Sequence, residues 1–173
     1  MITIYIQRLS LTFFRNYREQ EVNLVSGINV LHGNNAQGKT NFLEACYLIA
    51  TTRAFRTRSD HELIGWGAVK EPLPHARLIA LTQQASGATE LEVVIQATKT
   101  RENKGPDRDR ENVSLETPET QKNFNFQRSY RINKVRRRTA DMIGELPIVL
   151  FTPHDVELAS GSPAQRRKYM DLS

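Results

Sequence analysis

Eight residues constrain this chain more than any others: Gly33-Asn34-Asn35-Ala36-Gln37-Gly38-Lys39-Thr40, a glycine, four free positions, then Gly-Lys-Thr. A triphosphate is compact and highly charged, so a short loop that wraps it must point several backbone N–H groups at one anion. Glycine at Gly33 and Gly38 permits turn angles and a close approach that a Cβ would block. Lys39 then reaches the β- and γ-phosphates, and the Thr40 hydroxyl coordinates Mg²⁺. The loop must also open a helix, whose free N–H groups and positive end favour phosphate. Both neighbours are legible. Gly27-Ile28-Asn29-Val30-Leu31-His32 reads as a short buried strand, and Asn41 to Ala50 is apolar on nearly every face, as a covered helix is. The expectation is an α/β P-loop NTPase. Gly33, Asn34, Asn35, Ala36, Gln37, Gly38, Lys39 and Thr40 are the candidate nucleotide-binding residues, and Thr40 is also the Mg²⁺ ligand.

Other elements follow from periodicity. Ile2, Ile4 and Ile6 alternate with polar neighbours, and the pattern resumes through Leu9, Leu11 and Phe13, as in a half-buried strand. Gln20 to Leu24 is a second strand across the Arg15-Asn16-Tyr17-Arg18 turn, so the phosphate loop is expected after the third strand, behind an antiparallel ribbon. Many small kinases and GTPases place it after the first. Arg77 to Thr82 and Thr89 to Ala97 suggest a hairpin around Ala85-Ser86-Gly87-Ala88. Residues 98–127, including "KTRENKGPDRDREN", are dense in both charges and too polar for a core, which predicts an exposed or disordered insertion. Phe126 to Ile132 restores order, followed by a short helix near Thr139 to Ile143 and a buried strand Ile148-Val149-Leu150-Phe151 stopped by Pro153. Ser162-Pro163-Ala164-Gln165 carries helix-start signals.

At 173 residues the chain suits one domain. It holds no run of 18 apolar residues and no basic-then-apolar leader, so neither membrane insertion nor export is expected. The single cysteine, Cys46, falls in the apolar helix and reads as inert packing, which favours a cytoplasmic setting. A net charge of +5 and a pI near 9.6 suit a polyanionic partner and surface solvation equally well. Basic residues cluster at Arg53-Arg56-Arg58, Lys134-Arg136-Arg137-Arg138 and Arg166-Arg167-Lys168. Arg166 and Arg167 read as helix anchors pairing with Asp171 or neighbouring carboxylates. His32 reads as packing, and His61, His75 and His154 show no ligand spacing, so no structural metal is expected.

Several stretches together resemble the N-terminal part of the RecF family, the bacterial DNA replication and repair ATPases related to the Rad50 and SMC heads of the ABC-ATPase group. They are Leu11-Thr12-Phe13-Phe14-Arg15-Asn16-Tyr17, the phosphate loop with Asn41-Phe42-Leu43-Glu44-Ala45, and Arg53-Ala54-Phe55-Arg56-Thr57 with Glu62-Leu63-Ile64. Val149-Leu150-Phe151-Thr152-Pro153-His154-Asp155 and Gly161-Ser162-Pro163 with Arg166, Arg167 and Asp171 complete the set. The resemblance implies an ABC-ATPase-like lobe that binds ATP and Mg²⁺, and a full-length protein that forms an ATP-dependent homodimer. It implies contact with single-stranded and gapped DNA, and with RecR and RecO type partners, in recombinase loading, recombinational repair and SOS induction. For the first two basic clusters it points to DNA. It places Arg15 and Asn16 near the nucleotide, and Thr152-Pro153-His154-Asp155 where relatives carry a glutamine loop that senses the γ-phosphate.

This sequence departs from the family pattern in places. Ala36 stands where many relatives have glycine, which is tolerable if its φ is negative. No signature motif of the Ser-Gly-Gly type and no apolar strand ending in paired acids (Walker B) occurs. Residues 1–173 therefore read as the N-terminal part of one ABC-type head, with the C-terminal lobe missing. Weak ATP hydrolysis is expected of the full-length protein and not of this chain, and no catalytic residue is assigned. Glu44 should point away from the γ-phosphate, leaving Asp155 as the nearest alternative base. A competing reading is a P-loop phosphotransferase acting on a small molecule, with residues 98–127 as a lid, although these lack apolar anchors. A purely structural SMC-like head would show a heptad run, and none is present.

Overall fold

Alternation of apolar and polar residues along the chain gathers one antiparallel sheet. The computed structural model describes residues 4–70, 73–85, 87–99, 124–152 and 155. Its strands are β1 (Tyr5–Phe14), β2 (Tyr17–Asn23), β3 (His75–Gln84), β4 (Gly87–Lys99), β5 (Phe124–Ile132) and β6 (Val135–Arg137). They lie in the order β2-β1-β3-β4-β5-β6, with every neighbouring pair antiparallel. Ala76, Leu78 and Ala80 of β3 face the same side as Leu91, Val93, Ile95 and Ala97 of β4, because successive residues of a strand point to opposite faces. Leu9 and Leu11 of β1 join them. The break between Ile6 and Leu9 in the apolar alternation is a register shift between Ile6 and Arg8, one extra residue that keeps both halves of β1 facing inward.

Helix α1 (Lys39–Thr51) covers this apolar face, packing on β3 and β4. It buries Phe42, Ala45, Cys46, Leu48, Ile49 and Ala50. Each large side chain among them contributes about 1.5–3 kcal/mol on burial. Burial also pushes the Cys46 thiol up to about 12, so it stays protonated and acts as packing. Two 3₁₀ turns, Asp60–Leu63 and Trp66–Lys70, and the short helix α2 (Thr139–Met142) close the rim. Arg128 of β5 binds both carboxylate oxygens of Asp60 and donates to the Thr52 carbonyl, an acceptor left without a partner by the end of α1.

The hairpin of β3 and β4 and the helix near Thr139 match expectation. Two expected buried strands do not form. Gly27 to His32 runs outside any strand, with Ile28 91% and Val30 77% exposed. No described strand lies beside it to complete a ladder. Instead the Asn29 side chain accepts from Val25 N–H and donates to the carbonyls of Val25 and Gly27, building a local turn. Ile148 to Phe151 is likewise irregular, with only Ile148 packed on the core, and Val149 93% and Phe151 73% exposed. The phosphate loop therefore follows the ribbon and an irregular segment, not a third strand. His32 is exposed rather than packed. The polar stretch 98–127 is narrower than expected, since Thr98 and Lys99 extend β4 and Phe124 to Gln127 begin β5. Residues 100–123, Pro153, His154 and the expected helix from Ser162, with Arg166, Arg167 and Lys168, lie outside the described residues.

Candidate nucleotide site

The loop Gly33–Thr40 opens α1 directly, with Gly38 at the helix N-cap in the left-handed region, φ 106°. A Cβ at Gly38 would sit 2.8 Å from the Asn16 amide and 2.9 Å from the Tyr17 hydroxyl, so the position needs glycine on both counts. Tyr17 O–H donates to the Gly38 carbonyl at 3.1 Å. Burial, and then the nearby Cys46, push its ionisation up, so it remains a donor. Inside the loop, Gln37 Oε1 accepts from Asn34 N–H. Lys39 Nζ donates to the carbonyls of Gly33 and Asn34, at 2.8 and 2.7 Å, and so bridges the loop. Ala36 has φ 64°, against the negative value its side chain would prefer.

Three separated stretches converge on the helix start. Asn41 Nδ2 donates to Asn16 Oδ1 at 2.8 Å, and Arg56 Nη1 donates to Asn41 Oδ1 at 2.9 Å. Phe55 meets Tyr47 edge to face, centroids 5.6 Å apart, which anchors the Arg56 segment to α1. A cleft of about 450 Å³ results, lined by Asn35, Ala36, Gly38, Lys39, Thr40, Asn41 and Arg56. It combines two cations, the first-turn N–H groups of a covered helix and a hydroxyl. That donor set fits a polyphosphate with Mg²⁺, and among the described residues the lining includes no carboxylate.

Sequence reasoning placed Arg56 among DNA contacts and missed its position beside the loop. Only its place two residues before Arg58, in a stretch shared with the resemblance, hinted at a role. Asn16 reaches the loop as implied. Arg15 does not offer its charge there: Nε and Nη2 bind both oxygens of Glu44 at 2.9 Å, and Nη1 donates to the Glu62 carbonyl. Glu44 is fully buried and turned into the protein. Asp155 accepts from the backbone N–H and hydroxyl of Thr152. Arg53 and Arg58 are exposed, and Lys134, Arg136, Arg137 and Arg138 lie at the β5–β6 turn and edge strand, away from the loop.

A glycine loop opening a covered helix against an antiparallel lobe defines a P-loop nucleotide-binding domain, and the chain belongs to the AAA-domain family, whose family model matches residues 8–155. It is similar to the DNA replication and repair protein RecF of Roseiflexus castenholzii, 39% identical over 173 residues covering 98% of this chain and 40% of that protein. RecF of Limosilactobacillus fermentum is 39% identical over 167 residues, covering 96% of this chain and 36% of that protein. The chain thus spans about 40% of the length of such curated relatives. Solved structures of the recombination mediator protein RecF share its fold. The RecF-ATPrS structure has a TM-score of 0.68 at 23% identity, covering 98% of this chain and 38% of that one. The RecF-ATP structure has a TM-score of 0.64 at 22% identity, covering 99% and 39%.

Proposed function

We propose that this chain is the ATP-binding N-terminal lobe of a RecF-type DNA replication and repair protein. The observation that carries the proposal is the cleft in which Lys39, Thr40, Asn41 and Arg56 surround the start of α1. The relatives' names extend it to DNA replication and repair. Gly33 to Lys39 would cradle the phosphates and Thr40 would take Mg²⁺, which supplies charge neutralisation at the β- and γ-oxygens. Among the described residues this cleft is lined by no carboxylate, in keeping with weak ATP hydrolysis by the full-length protein rather than by this lobe. In the whole protein we place ATP-dependent pairing of two heads, contact with single-stranded and gapped DNA, and RecR and RecO type partners that assist recombinase loading, recombinational repair and SOS induction in the cytoplasm. Among the described residues, no helix is long and apolar enough to cross a membrane.

Titration calorimetry with ATP and Mg²⁺ tests the reading. Lys39→Ala removes a cation whose hydrogen bonds, among the described residues, go to loop carbonyls, so the fold should persist. Loss of a charge-assisted contact should weaken binding about tenfold or more. Equal affinity in the variant would sink the assignment.

A further inference from the structure

Arg56 reaches the start of α1 from a run of chain that leaves the other end of the same helix. Asn41 and Thr52 lie about 16 Å apart along the helix axis. The backbone from Thr52 to Arg56 spans at most about 14 Å even when extended, and the two side chains make up the rest. Arg56 can therefore meet Asn41 only if the chain turns back at once at Thr52. Thr52 does so in the left-handed region, at φ 61°. A β-branched residue adopts that conformation at a cost, and it persists only where its surroundings hold it. Phe55 against Tyr47 holds the middle of the returning run.

One side chain holds both ends. Arg128 stands on β5, paired with Ile95 of β4, and lies outside the lining of the cleft. Its Nη1 donates to the carbonyl of Thr52, where the run begins. Its Nε donates to both carboxylate oxygens of Asp60 at 3.0 Å, and Nη2 binds Oδ1 of the same group, where the run ends in a 3₁₀ turn. The two charged side chains are each 20% exposed, so water competes little for the pair. The rigid fork of a guanidinium serves two acceptors at once, which the single point of charge on a lysine does not. We infer that Arg128, with Asp60, is a positioning residue for the candidate nucleotide site, clamping residues 52–60 so that Arg56 is presented to the phosphates, a role that rests on the nucleotide reading above.

A double-mutant cycle read by titration calorimetry with ATP and Mg²⁺ tests this, with a thermal midpoint for each variant to confirm folding. Arg56→Ala removes the presented cation, and Arg128→Lys keeps a charge on β5 but cannot bridge both ends. Each should weaken ATP about three- to tenfold. Because Arg128 acts through Arg56, the two changed together should bind no more weakly than Arg56→Ala alone. With Lys39→Ala, whose cation the clamp does not hold, the loss from Arg128→Lys should instead multiply. Asp60→Asn opens the clamp from its other end and should repeat the pattern, and it decides the matter if Arg128→Lys does not fold. An ion pair that served the fold alone would lower the midpoint and leave the affinity unchanged, or its loss would multiply with that of Arg56→Ala. Either result overturns the inference and leaves the loop reading intact. If the parent chain does not bind ATP, the loop reading falls and the inference falls with it.

Discussion

Ala36 carries a methyl group in a backbone conformation that disfavours one. At φ 64° an L-residue crowds its own carbonyl, at about 1–2 kcal/mol, and the surrounding loop has to hold it there. Glycine would relieve the crowding but return some entropy to the unfolded chain, about 0.4–1 kcal/mol. Ala36→Gly should therefore stabilise the protein by about 0.5–1 kcal/mol, seen as a thermal midpoint raised by ~1–4 °C. A midpoint unchanged or lowered would show that the alanine is not strained. Neighbouring Gly38 is the converse case, because there any side chain meets Asn16 and Tyr17.

Between elements, charge pairs decide more than their number suggests. Glu92 of β4 is buried on the face of the sheet away from α1, between Arg77 of β3 and Arg131 of β5, at 2.6 and 2.8 Å. Burial raises its pKa, but the hydrogen bonds and charges of Arg131 and Arg77 outweigh burial, so the net direction is downward. A carboxylate with a lowered native value stabilises the fold above its ordinary range, and that contribution disappears as pH falls through the lowered value. Glu92→Gln keeps the shape and removes the charge. It should cost about 1–2 kcal/mol at neutral pH, held modest by the partial exposure of both arginines, and nothing once the parent's Glu92 is protonated. Denaturant unfolding at neutral and strongly acidic pH checks this; a gap that persists in acid would assign the effect to packing. Arg15 and Glu44 make the corresponding pair on the buried side, joining the β1–β2 turn to α1 and so holding Asn16 at the loop.

At the scale of the molecule, the described basic residues of the β5–β6 edge do not gather on one face. Arg136 pairs in register with Arg131 and Arg137 with Tyr130, so the two arginines point to opposite faces of an edge strand. Arg138 follows at the end of that strand, beside Asp141. Such an edge suits phosphate contact, which positions nucleic acid without reading bases. DNA binding by the intact protein should be insensitive to sequence and should fall steeply with salt. Replacing Arg136, Arg137 and Arg138 together with alanine should flatten the log–log salt slope by up to about 2 for single strands. Fluorescence anisotropy across salt concentrations measures the slope, and an unchanged slope would return these arginines to a role in the fold.

What could be read from the sequence was what short range determines. The phosphate loop, the helix it opens, the β1–β2 turn and the β3–β4 hairpin are each specified by residues within about one element's length of one another, through glycine angles, helical spacing and strand alternation. Long-range consequences could not be read that way. Arg56 reaches the loop only because Phe55 packs on Tyr47 and Asn41 links Asn16 to it, and Arg15 is taken by Glu44, 29 positions away. The same limit explains the two strands that failed to form. Ile28, Val30, Val149 and Phe151 have the composition of buried strand residues, yet they stand exposed. Apolar composition states a preference for burial, but a strand exists only where a neighbour supplies the other half of its hydrogen-bond ladder, and only the tertiary structure decides whether that neighbour is there.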